Sequence, residues 1–190
     1  PIDENHEINS QSPYAASKTA ADHLAISYYR SFKLPIKIIR PFNIYGPRQS
    51  ERAIIPTIIN QALNSKKSIF LGNTTPSRDF NYVFDVIDAF IKIMNSKKAN
   101  GQIINVANNK KISVLFLCKE ILKIINSKKM IKVKKNRKRP ISSEVENLQG
   151  NNKKIKKLLL WKPKTKLKKG LELTIEWFKQ NKTKNTKYVI

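Results

Sequence analysis

The stretch SPYAASKTAADHLAISYYRSFKLPIKIIRP at residues 12–41 decides the fold class. Ser12-Pro13 is a helix entry signal, and the Ala-dense run behind it predicts a helix over 14–31. Leu34-Pro35 ends that helix, and IKIIR at 36–40 predicts a short strand stopped by Pro41. Downstream, the pattern predicts a helix in the later part of 53–64 and a strand at 68–71. Asp85 is expected to cap a helix reaching about residue 96, with a strand at 102–106 to follow. Ser113 is expected to cap a helix ending at Ile125, and a strand is expected within 128–139. Amphipathic helices at 152–160 and 166–180 close the chain around Trp161 and Trp177. Strands alternating with helices define an α/β protein.

Composition narrows the function classes. The 190 residues carry 38 Lys+Arg and 13 Asp+Glu, a formal net charge of +25. Lys supplies 31 of the cations and Arg only 7; Lys, Ile and Asn together make up 76 residues. All three are spelled by A/T-rich codons, so codon drift accounts for most of the charge. Phosphate- and base-reading surfaces favour the bidentate Arg fork, and the Lys-rich runs at 128–139 and 153–169 interleave few aromatics. Nucleic acid is therefore not the expected partner. No apolar run nears the roughly 20 residues of a membrane helix. The single Cys118, expected to be a core thiol, excludes a disulfide framework, and His6 and His23 lack partners for a metal site.

Tyr14 and Lys18 lie four apart on one face of the first predicted helix. A phenol is a poor base at neutral pH, and a cation beside it makes the phenolate accessible. Such a pair suits oxidation of a sugar hydroxyl. Tyr29 and Lys33 repeat the spacing but stand among bulky residues at the helix end, and Tyr29 is assigned to packing. Around Tyr14 the small residues Ala15, Ala16 and Ser17 let another group approach.

Three segments in order, SPYAASK at 12–18, RPFNIYGPRQ at 40–49 and RDFNYVFD at 78–85, resemble the extended short-chain dehydrogenases/reductases, the NAD-dependent nucleotide-sugar epimerases and dehydratases. RPISSEV at 139–145 and the run from 153 to 178 extend the likeness over nearly the whole chain. GPRQS, RAIIPTII and SEV are most similar to the 4,6-dehydratases, in particular those acting on nucleotide-linked N-acetylhexosamine or mannose. The resemblance implies the C-terminal part of a Rossmann-type parallel sheet plus a smaller α/β substrate-binding domain. Residues 1–50 would end the NAD-binding domain. Residues 51–190 would be mainly substrate-binding, with a strand–helix return to the sheet around 80–106.

The resemblance also implies roles. Tyr14 would take the sugar 4-hydroxyl proton as hydride moves to NAD, and Lys18 would hold the nicotinamide ribose. Pro41 and Phe42 would border the nicotinamide, and Asn43 would bind the sugar or phosphate. Arg78 and Arg139 would neutralise the diphosphate, Glu144 would reach the nucleotide ribose, and Arg52, Ile55 and Pro56 would build the nucleotide pocket. Asp79 and Asp85 are expected to pair with Arg78 and cap a helix. The 7 Arg are scarce enough to inform: Arg40, Arg48, Arg52, Arg78 and Arg139 all fall in or beside these segments.

Three departures stand out. The 5 Gly cannot build a Gly-rich dinucleotide loop, and the chain opens Pro1-Ile2-Asp3-Glu4, like the middle of a loop. It is expected to be the later part of a larger cytoplasmic homodimeric enzyme. Leu160 stands where the family often has Gly before Trp161. The expected activity is a 4,6-dehydratase acting on a nucleotide-diphosphate sugar. The alternatives are a 4-epimerase of the same family and a non-catalytic basic binding protein on the same fold.

Overall fold

The computed structural model describes residues 1–65, 67–134 and 145–181. The helices are α1 (Pro13–Phe32), α2 (Ile54–Asn64), α3 (Val83–Asn95), α4 (Val114–Ile125), α5 (Lys153–Leu159) and α6 (Leu167–Gln180). The strands are β1 (Ile38–Pro41), β2 (Ile44–Tyr45), β3 (Ser68–Leu71), β4 (Ser77–Arg78), β5 (Asn81–Tyr82), β6 (Ile103–Val106), β7 (Ile112–Ser113) and β8 (Met130–Val133). Pairs β1–β6, β2–β5 and β3–β8 are parallel, and β4–β7 is antiparallel. The α/β class with parallel strands is as expected.

Local chemistry explains the ends of the elements. Ser12 caps α1, its Oγ accepting the Ala15 N–H at 3.1 Å, and Pro13 opens the first turn. Ser113 Oγ accepts the Phe116 N–H at 3.1 Å at the start of α4. Asp85 does not cap α3: the cap position is Tyr82, and Asp85 sits inside the first turn. There its Oδ2 accepts the Thr165 N–H at 2.9 Å, which ties α3 to the segment ahead of α6. An acid in the first turn also favours the helix dipole.

Among the described residues, two apolar clusters form the core. The larger joins α2, α4, α6 and β3 around Ile58, Ile59, Leu117, Ile121 and Leu171, with Tyr45, Phe80 and Tyr82 beside them. Cys118 is buried here, and burial pushes its thiol up to about 11. The smaller lies against β6: Val86, Ala89 and Ile93 of α3 meet Ile104, Val106, Ile155 and Trp161. Residues 155–161 thus pack on β6 together with α3. His6 and His23 are both exposed.

Candidate active site

Tyr14 stands in the first turn of α1, 72% exposed. Lys18 Nζ lies 5.6 Å from the centre of its ring, so the two side chains share a face as their spacing requires. Tyr29 does pack: its ring covers Gly101, where a Cβ would come within 2.1 Å of Cε1 and φ is +69°. Lys33 ends α1 in a left-handed conformation, its N–H donating to Tyr29 O at 3.0 Å.

β1 delivers Pro41 beside Val106, and the Phe42 N–H donates to Val106 O at 3.0 Å. These residues lie at the carboxyl end of a parallel pair, the place where open α/β sheets bind ligands. The Phe42 ring rests on Gly150, where a Cβ would approach it to 2.6 Å. The Asn43 side chain is exposed, while its carbonyl accepts the Asn81 N–H at 2.8 Å. Arg78, half-buried on β4, donates from Nη1 to Ser77 O at 3.0 Å.

Asp79 is fully buried and acts as a junction. Its Oδ1 accepts the Asn108 N–H at 2.9 Å and Asn81 Nδ2 at 3.1 Å, and its Oδ2 accepts the Gly150 N–H at 3.2 Å. Donors on three segments thus occupy both oxygens of the carboxylate expected to serve Arg78. Burial pushes this carboxyl above its usual range, against the pull of those same donors.

Phe42, Asn43 and the Arg78-Asp79 dipeptide therefore belong to one connected network. Tyr14 and Lys18 form a separate pair on α1. Arg52 stands exposed ahead of α2, whereas Ile55 (1% exposed) and Pro56 are buried, with Ile55 in the larger core. Of that trio, Arg52 is the side chain that faces solvent. Arg139 and Glu144 lie outside the described residues. Arg40 is paired with Asp22 at 2.7 Å, bracing β1 against α1. The Asp22 and Asp79 contacts were not foreseen; for Asp22, an acid on the helix leading into an Arg-bearing strand was the available signal.

With this geometry in place, comparison with known proteins defines the class. The profile of the family described as GDP-mannose 4,6 dehydratase matches residues 1–174. The chain belongs to the NAD-dependent epimerase/dehydratase family of extended short-chain dehydrogenases/reductases. The dTDP-D-glucose 4,6-dehydratase of Bos taurus is 33% identical over 182 residues, covering 95% of this chain and 51% of that protein. The dTDP-glucose 4,6-dehydratase of Bacillus anthracis, solved with NAD, superposes with TM-score 0.85 at 27% identity over 94% of this chain and 56% of its own. The UDP-glucuronic acid 4-epimerase of Bacillus cereus, solved with UDP-glucuronic acid and NAD, gives 0.86 at 29% identity over the same shares. The chain spans about half the length of the curated relatives it matches.

Proposed function

We propose that this chain is the substrate-side portion of an NAD-dependent nucleotide-sugar 4,6-dehydratase. Residues 1–50 would complete the cofactor-binding half, and most of 51–190 would form the substrate half. The observation that carries the reading is the Tyr14–Lys18 pair, with Nζ 5.6 Å from the phenol ring at the exposed start of a helix.

Tyr14 takes the proton of the sugar 4-hydroxyl through its phenolic oxygen. Lys18 places positive charge beside the developing phenolate and offers donors to the nicotinamide ribose. Their exposed, shared face would hold the nicotinamide end of NAD, which would supply the hydride acceptor and donor. Pro41 and Phe42 border that end, and Asn43 offers an exposed amide to the sugar or phosphate. Arg78, with Arg52 and Arg139, offers guanidinium forks to the diphosphate, and Glu144 would face the nucleotide ribose. Ile55 and Pro56 shape the pocket from the buried side. The relatives favour dTDP-glucose as the first sugar nucleotide to test, and the full protein is expected to work as a homodimer.

Tyr14→Phe in the intact protein is expected to lower dTDP-glucose turnover by at least about 100-fold while NAD binding persists. Unchanged turnover would remove the catalytic assignment. Product analysis separates the second reading, which the B. cereus epimerase superposition supports: a dehydratase releases water and a 6-deoxy-4-keto sugar, whereas an epimerase inverts C4 and loses no mass.

A further inference from the structure

The residues ahead of α1 form a leader held at its two ends. At its start, the Ile2 N–H donates to Gln149 O at 2.7 Å and Ile2 O accepts the Asn151 N–H at 2.7 Å, forming a parallel bridge with Gly150. Asn105 Nδ2 donates to the same carbonyl at 3.2 Å, and Glu4 Oε1 accepts the Asn105 main-chain N–H at 2.8 Å. At its far end, the Ser10 and Thr19 hydroxyls meet at 3.0 Å and Ser12 caps the helix. Residues 5–11 between these ends are all exposed.

The strand geometry explains why Glu4 is needed. Val106 O accepts from Phe42, so Val106 faces β1. Main-chain groups alternate between the two edges of a strand, so the Asn105 N–H points to the opposite edge. Among the described residues no strand pairs there. Asn105 is 2% exposed, and a buried N–H without a partner carries its full desolvation penalty. The Glu4 carboxylate answers it with a charge-assisted bond.

We propose that Glu4 is a positioning residue, which caps the outer edge of β6 and thereby pins the leader that fixes the entry of α1, where Tyr14 stands. Its consequence for turnover rests on the function proposed above; its structural part does not. Glu4→Ala removes the acceptor, whereas Glu4→Gln keeps an acceptor oxygen at the same reach.

The test is amide hydrogen exchange on the intact protein, with steady-state turnover of dTDP-glucose in the presence of NAD. In Glu4→Ala, exchange at Asn105 and Ala15 is expected to rise about tenfold or more, and Glu4→Gln is expected to stay within about threefold of the unsubstituted protein. kcat should fall about tenfold in Glu4→Ala with KM for the nucleotide sugar held, and recover in Glu4→Gln. Glu4→Asp, with its shorter reach, is read in the same way if the Ala variant does not fold. Unchanged exchange at Asn105 overturns the latch. Faster exchange at Asn105 with Ala15 and kcat unchanged overturns the positioning role. An unsubstituted protein that turns over no nucleotide sugar counts against the dehydratase alone; exchange at Asn105 still decides the latch, and exchange at Ala15 the positioning of α1.

Discussion

Leu160 ends α5 at φ +52°, with its side chain 85% exposed. The left-handed region costs an L-residue about 1–2 kcal/mol, because Cβ crowds the neighbouring carbonyl. Glycine escapes that crowding, which is the physical reason for a Gly at the end of such a helix. An exposed Leu gives little packing in return. Leu160→Gly is therefore expected to stabilise the fold by about 1 kcal/mol, less whatever the added freedom of the unfolded chain takes back. Thermal or urea unfolding checks it, and a lower midpoint would show that the Leu160 side chain holds more than its exposure indicates. At the same scale, Asp79 makes a pH-dependent contribution. Its folded-state value is raised, so folding binds its proton more tightly than the unfolded chain does. The sign follows: this contribution is complete below the ordinary carboxylate value and fades as pH rises through the folded one. In urea titrations across that window, the stability of the unsubstituted protein relative to Asp79→Asn is expected to fall with rising pH. A flat difference would mean that the three N–H donors offset burial fully.

Packing between elements sets the next test. Gly170, in the first turns of α6, lies against the buried Tyr45 of β2; a Cβ there would come within 2.1 Å of the hydroxyl and 2.9 Å of Cζ. Gly170→Ala is expected to cost about 1–3 kcal/mol by overpacking, because a fully enclosed ring cannot swing away. Adding Tyr45→Phe removes the nearest atom and should recover part of the loss in a double-mutant cycle. Additive losses would place the strain elsewhere in α6. The elements that the residues announced are those with local causes. α1 follows from Ser12-Pro13, α4 from the Ser113 cap, and β3 spans the expected 68–71. The two-residue strands β2, β4, β5 and β7 had no such signal, since two positions cannot display an alternation. The Tyr14–Lys18 pair was legible because helix geometry alone brings it together. The Asp79 junction was not, because Asn108 and Gly150 lie 29 and 71 positions away. The burial of Ile55 was readable after all: Ile55, Ile58, Ile59 and Ala62 follow the spacing of a buried helix face.

For the molecule as a whole, apolar surface and net charge pull in opposite directions. α1 has no fully buried residue and exposes Leu24, Tyr28 and Phe32 along one face. α3 buries one face and exposes Phe84, Ile87, Phe90, Ile91 and Met94 on another. Between α3 and β1, Pro35, Ile39, Phe90, Ile91 and Met94 line an open apolar groove, and among the described residues β1 pairs on one edge only. Surfaces of this kind drive association, whereas a formal charge of +25 keeps copies of the chain apart. Charge repulsion reaches about 30 Å at 0.01 M salt and only about 3 Å at 1 M, while apolar contact is not screened. The 190-residue chain is therefore expected to be monomeric at low ionic strength and to associate steeply as salt is raised. Ile91→Lys with Met94→Lys should hold it monomeric across the range with an unchanged circular dichroism spectrum, because both side chains already lie in water. Sedimentation velocity against salt concentration measures this directly. Association that weakened with added salt would place the contact in the charged surface and leave the apolar faces of α1 and α3 without a part in it.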